Sequence, residues 1–123
     1  MNGKPSIAIV DDELDICALL TNVFQTMGAS VCFIAPDGPE AIEKFKNADP
    51  RPGVEIIDYR LPSMSGLDVM KRILAIEPRT RIVFISGDES SRQESLDAGA
   101  TVFMKKPASI KTITDTVTRL IDL

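Results

Sequence analysis

Val54-Glu55-Ile56-Ile57-Asp58-Tyr59-Arg60-Leu61-Pro62 is the stretch on which the fold turns. A short apolar run ends in one carboxylate, and Pro62 then marks a loop. That pattern describes a strand presenting Asp58 at the edge of a sheet rather than in a core. In a parallel sheet, ligands bind outside the carboxyl ends of the strands. Asp58 therefore stands where chemistry takes place.

The rest of the chain supplies more strands of the same kind. Ser6-Ile7-Ala8-Ile9-Val10 is a continuous apolar run, as in a central strand buried on both faces, and it ends at Asp11-Asp12-Glu13. The helix expected next puts Ile16, Leu19, Leu20, Val23, Phe24 and Met27 inward, with Gly28 as its stop. Val31–Ile34 reads as a second strand, Pro36-Asp37-Gly38-Pro39 as a turn, and Glu40–Asn47 as a short helix. After the third strand, Val54–Asp58, a helix carries Leu67, Met70, Ile73 and Leu74. The fourth strand, Arg81–Ile85, ends at Ser86-Gly87-Asp88. The segment Ser90–Asp97 is polar, with Leu96 as its single apolar anchor, so its helix is expected to be marginal and mobile. A fifth strand, Thr101–Met104, ends at Lys105-Lys106-Pro107, and Ser109 caps a last helix with Ile110, Ile113, Val117 and Leu120 inward. The threonines of that helix are poor helix formers, so packing must hold it. Five strands alternating with five helices imply one α/β domain over residues 1–123, a parallel sheet covered on both faces.

Composition narrows the function. The 123 residues hold 14 basic and 18 acidic side chains, a net charge of −4, which argues against a nucleic-acid binder with its basic face. No apolar run reaches membrane-spanning length, and Met1-Asn2-Gly3-Lys4-Pro5 lacks the apolar core of a signal peptide. Cys17 and Cys32 lie far apart without metal-ligand spacing, which fits reduced thiols in a cytoplasmic protein. There is no histidine, which removes imidazole bases, imidazole metal sites and phosphohistidine from this chain.

The strand ends are then informative as a set: Asp11 and Asp12 after the first, Asp58 after the third, Ser86 after the fourth, Lys106 after the fifth. Three carboxylates at one edge repel one another unless a cation sits among them. Oxygen-only ligands favour magnesium, or manganese, over zinc. Lys106 adds a point charge suited to phosphate and Ser86 a hydroxyl. The set fits phosphoryl transfer onto Asp58 acting as a carboxylate nucleophile.

Val10-Asp11-Asp12-Glu13, Asp58 with Leu61-Pro62 and Gly66, Ile85-Ser86-Gly87, Ala98-Gly99-Ala100 and Phe103-x-x-Lys106-Pro107 together resemble the receiver domain of two-component response regulators, in a stand-alone form. The resemblance covers nearly the whole chain. It implies a flavodoxin-like fold of strand order 2-1-3-4-5 with a cis Lys106–Pro107 bond. It implies that Asp58 accepts phosphate from a sensor histidine kinase in a magnesium-dependent reaction. Asp12, Asp58 and the Arg60 carbonyl would hold magnesium directly, and Asp11 through water. Lys106 would pair with Asp58 or its phosphate, Ser86 would turn towards the phosphoryl group, and Phe103 would swing into the space vacated. The face formed by the fourth helix, fifth strand and fifth helix would then signal to a downstream protein. The resemblance implies a signalling domain in place of an enzyme with an external substrate, monomeric, with dimerisation on phosphorylation an open alternative.

Some positions depart from the family pattern. Glu55 sits inside the third strand, so it either reaches solvent or has a raised pKa. Ala108 follows the Lys-Pro pair where an aromatic is frequent, and Phe103 offers no hydroxyl. Glu13 reads as part of a helix start only. Arg60 and Asp88, each two residues beyond a site residue, are expected to pair over the phosphoryl group and shield it from water. The rival readings are weaker. A phosphohydrolase would need an acid where Arg60 stands, a vestigial binding module would have lost site groups, and a flavin phosphate would be repelled by Asp11-Asp12-Glu13.

Overall fold

The computed structural model describes residues 6–122; Met1–Pro5 and Leu123, on which the reading of the termini rests, lie outside the described residues. The elements alternate: β1 Ser6–Val10, α1 Leu14–Thr26, β2 Ser30–Ala35, α2 Gly38–Asn47, β3 Val54–Asp58, α3 Gly66–Ile76, β4 Arg81–Ser86, α4 Ser91–Asp97, β5 Val102–Lys105 and α5 Ile110–Asp122. All neighbouring strands pair in parallel, in the order β2-β1-β3-β4-β5. β3 is the middle strand, and all five of its residues are buried. That explains why its sequence is nearly continuous in apolar residues instead of alternating.

Two cores cover the two sheet faces. Val10, Ile57, Ile82 and Phe84 pack with Ala41 and Phe45 of α2 and Leu67, Met70 and Ile73 of α3. On the other face, Ile7, Ile9, Ile56 and Val83 pack with Leu20 and Phe24 of α1 and Ile113 and Val117 of α5.

Several expectations change in detail. Cys17 lies in the core at 1% exposure, whereas Leu19 and Met27 face out at 52% and 47%. A thiol behaves as a small apolar group, so the buried stripe of α1 runs through Cys17, Leu20 and Phe24. Asp37-Gly38-Pro39 starts α2 in place of a separate turn: Asp37 Oδ1 accepts from the Glu40 amide at 2.9 Å, and proline occupies the first helical turn. In α4 the anchor is not Leu96, which is 38% exposed, but Ser91 and Ser95. Their hydroxyls are spent on the main chain, donating to Asp88 O (2.6 Å) and Arg92 O (2.9 Å). Ser109 caps α5 through the Thr112 amide at 3.0 Å, and Thr116 and Thr118 return their hydroxyls to carbonyls four residues back. Glu55 is fully buried between Ala8 and Ile82, and neither of its carboxylate oxygens has a hydrogen-bond partner among the described residues. Burial alone pushes its pKa up to about 8.

Candidate functional site

The carboxyl ends of β1, β3, β4 and β5 converge on one cleft. Asp11 follows β1, where its amide donates to Ala35 O (3.0 Å) and its Oδ1 accepts from the Glu13 amide (2.9 Å). Asp58 ends β3 at 3% exposure. Beyond it the chain turns sharply: the Tyr59 amide donates to Ile85 O, and the Gly66 amide returns to Tyr59 O, both at 2.8 Å. A Cβ on Gly66 would stand 2.1 Å from the Asp58 carbonyl oxygen, so only glycine lets the loop close on this strand end.

Asp11, Asp12 and Asp58 offer carboxylate oxygens within 4.8 Å of one another. Lys106 Nζ lies 3.0 Å from Asp58 Oδ2 and 3.0 Å from Oδ1. Only the first contact is aligned as a hydrogen bond, and the buried Oδ1 has no hydrogen-bond partner among the described residues. The electrostatics follow from this crowding. Burial, reinforced by the Asp58 charge, pushes the Asp11 carboxyl up to about 6, against the opposing pull of the Glu13 amide and Lys106. Burial of the Lys106 ammonium works to lower its pKa, but the hydrogen bond and charge of Asp58, with Asp11 and Glu13, hold it above the usual lysine range.

A divalent cation fits this donor set: the exposed Asp12 carboxylate, the buried Asp11 and Asp58 carboxylates, an Asp58 oxygen that accepts no hydrogen bond among the described residues, and oxygen ligands only. Ser86, 1% exposed, accepts at Oγ from the Asp88 amide (3.0 Å). Tyr59, Arg60, Ser86, Gly87 and Asp88 line a cavity of about 380 Å³ whose floor carries Asp58 and Lys106. A larger cavity, about 610 Å³, opens at the amino ends of β3 and β4 by Gly53 and Thr80 and shares no residue with this cleft.

The structure thus brings Asp11, Asp12, Asp58, Ser86 and Lys106 together and places Arg60 on the rim. The expected Arg60–Asp88 ion pair is not formed among the described residues. Asp88 Oδ1 instead accepts from the Ser90 hydroxyl (2.7 Å) and amide (2.9 Å), which hold its carboxyl below the usual range. Glu13 is more than a helix start, since its Oε1 lies 3.9 Å from Lys106 Nζ. Phe103 is already inside, 7% exposed and stacked on Phe84, and the Lys106–Pro107 bond is cis.

Residues 7–118 match the family of the response regulator receiver domain. The chain belongs to that family. It is 33% identical to the sporulation initiation phosphotransferase F of Bacillus subtilis, over all of this chain and 97% of the relative. It is also 33% identical to the chemotaxis protein CheY of Thermotoga maritima, over 82% of this chain and 84% of that one. Among solved structures, a CheY-like receiver domain from Methanospirillum hungatei superposes with a TM-score of 0.87 at 23% identity, covering 98% of this chain and 95% of that one, and shows the shared fold. CheY in the CheX-CheY-BeF3-Mg complex from Borrelia burgdorferi superposes with a TM-score of 0.85 at 29% identity, covering 94% and 87%. The five-stranded order 2-1-3-4-5 is the flavodoxin-like arrangement of these receiver domains. No described helix of this receiver domain is long and apolar enough to cross a membrane.

Proposed function

We propose that this receiver domain is a phosphorylation-operated switch with Asp58 as its phosphoacceptor. The observation that carries the reading is the orphaned, buried Oδ1 of Asp58 between Lys106 and the Asp11–Asp12 carboxylates. One oxygen accepts a hydrogen bond from the ammonium, and the other, also 3.0 Å from it but accepting none among the described residues, is the one that attacks.

In the reaction proposed, an Asp58 oxygen forms a bond to phosphorus while the bond from phosphorus to a histidine nitrogen of the kinase breaks, and the leaving imidazole keeps the electron pair. Asp12, Asp58 and the Arg60 carbonyl would hold magnesium, with the Asp11 carboxylate beside them, and the ion would supply positive charge to the phosphoryl oxygens. Manganese has the same ligand preferences and would substitute. Lys106, released from the carboxylate as Asp58 becomes the acyl phosphate, takes a phosphoryl oxygen, and the Ser86 hydroxyl leaves Asp88 to donate to another. The domain promotes its own phosphorylation and, later, its own dephosphorylation, in which water attacks phosphorus, the Asp58 carboxylate leaves and inorganic phosphate is released. Relief of the three-acid repulsion and the new contacts at Ser86 bias the face of α4, β5 and α5, which passes the signal to a downstream protein in the cytoplasm. The described residues form one receiver unit, which acts as a monomer, with dimerisation on phosphorylation the alternative.

An acyl phosphate is recognised by its chemistry. After incubation with acetyl phosphate and magnesium, hydroxylamine should convert Asp58 to a hydroxamate, found in the peptide spanning β3. Hydroxamate elsewhere, or a phosphoryl group stable to hydroxylamine, would overturn the assignment.

A further inference from the structure

α4 has seven residues and almost no apolar grip: its buried side chains are Ser91 and Ser95, and Leu96 is 38% exposed. At its far end the Ala100 amide donates to Ser95 O (3.0 Å), and two further contacts tie α4 to the switch side of the domain. Through the main chain, the Ser91 hydroxyl donates to Asp88 O (2.6 Å) while the Asp88 amide donates to Ser86 Oγ (3.0 Å). Through side chains, the Arg92 guanidinium lies 4.6 Å from the centroid of the Phe103 ring. Glu89 holds that guanidinium, accepting from Nε and from Nη2 (3.3 Å), so the cation is fixed over the ring rather than free in solvent.

Phe103 presents its inner side to Phe84, with centroids 6.4 Å apart and planes 29° apart. Phe84 meets Tyr59 edge-on at 5.9 Å, and Tyr59 is the residue after Asp58. A packed line therefore runs from the acceptor strand to the surface of α4: Tyr59, Phe84, Phe103, Arg92, Glu89. A cation over an aromatic face is stabilising by itself, and more so when the ring is otherwise buried.

We propose that Arg92 is a positioning residue, a clamp that locks the place of α4 to the buried position of Phe103. It rests on the reading of Asp58 as phosphoacceptor and of Ser86 as the residue that follows the phosphoryl group. When the Ser86 hydroxyl leaves Asp88, the main-chain tie at the start of α4 loosens and the clamp is the side-chain contact that still registers this end of α4 on β5. Movement of either Phe103 or α4 then requires the other to move, and the influence is reciprocal. The low intrinsic stability of α4 makes one such contact decisive.

Amide hydrogen exchange over residues 91–97 tests this, on wild type, Arg92→Ala, Phe103→Leu and the double variant, each with and without magnesium and acetyl phosphate. Intact mass reports the phosphoryl adduct in every sample. The clamp predicts that Arg92→Ala speeds exchange of the segment about fivefold. Phe103→Leu should have a similar effect, and the double variant should show little more than either alone. Phosphorylation should change exchange in the wild type and much less in Arg92→Ala. Arg92→Lys, which keeps the charge without the planar fork, should recover part of the protection. Exchange unaltered by Arg92→Ala, or effects that multiply in the double variant, would overturn the clamp. A wild type without an adduct would overturn the phosphoacceptor reading instead, while the unphosphorylated samples still decide the clamp.

Discussion

Lys106 Nζ stands 3.0 Å from both carboxylate oxygens of Asp58, although the two residues come from β3 and the end of β5 with β4 between them. The pair is unequal, since the Asp58 side chain is 4% exposed and that of Lys106 35%. Removing the lysine strands a buried carboxylate beside two others. Lys106→Met should therefore destabilise the metal-free domain by ~2 kcal/mol, less than a fully buried pair because one partner reaches solvent. Urea denaturation in chelator reads this directly. It should also slow phosphorylation by acetyl phosphate, and an unchanged rate would remove Lys106 from the chemistry.

Divalent cation should act on the same repulsion. Magnesium bound only to the folded cleft should stabilise the domain by about 2.7 kcal/mol at a hundredfold excess over its Kd, and raise the melting temperature in a concentration-dependent way. Asp12→Asn should abolish most of that shift. Tyr59 is the single tyrosine and there is no tryptophan, so its fluorescence reports the cleft without background and should follow the same titration. A cation effect that survives Asp12→Asn would place the ion elsewhere.

Glu55 gives a pH dependence of opposite origin. Its carboxyl is neutral in the folded core up to about pH 8, while the unfolded chain ionises near 4.5. The stability tied to the neutral form is complete below the unfolded pKa and is lost as pH rises through the folded one. Between those limits wild type should lose on the order of 4 kcal/mol relative to Glu55→Gln, which cannot ionise. The comparison with Gln cancels the parallel titration of Asp11. Equal pH slopes for the two proteins would show that Glu55 finds a partner or water.

Gly66→Ala tests the turn that presents Asp58. The Cβ would meet the Asp58 carbonyl oxygen at 2.1 Å, backbone against backbone, so the loop must move. A loss of ~3 kcal/mol is expected, in the range of overpacked sites, with slower phosphorylation from the displaced strand end. Wild-type stability would mean that the loop closes differently.

How far the sequence anticipates this structure depends on what kind of residue carries each feature. The strands are legible because β1, β3 and β4 are buried on both faces and read as apolar runs, broken in β3 only by Glu55. The cleft is legible because each of its strands ends in a group with obvious chemistry. α4 is not, because its buried residues are serines whose hydroxyls turn back onto the main chain, invisible to apolar periodicity. The start of α2 was in plain view, with an Asp cap and a proline in the first turn, yet Pro-Asp-Gly-Pro composition resembles a turn equally well. Pairings of exposed charges are the least legible. Asp88 turns to Ser90 rather than Arg60, Glu13 approaches Lys106, and Arg92 finds Phe103, all choices made by side-chain geometry that spacing along the chain does not encode.

The most direct test of the phosphoacceptor assignment is intact-protein mass spectrometry after incubation with acetyl phosphate, with magnesium or with chelator, on wild type and Asp58→Ala. The account predicts one phosphoryl adduct on wild type with magnesium, none with chelator and none on Asp58→Ala. An adduct that persists on folded Asp58→Ala, or none on folded wild type with magnesium, would contradict it.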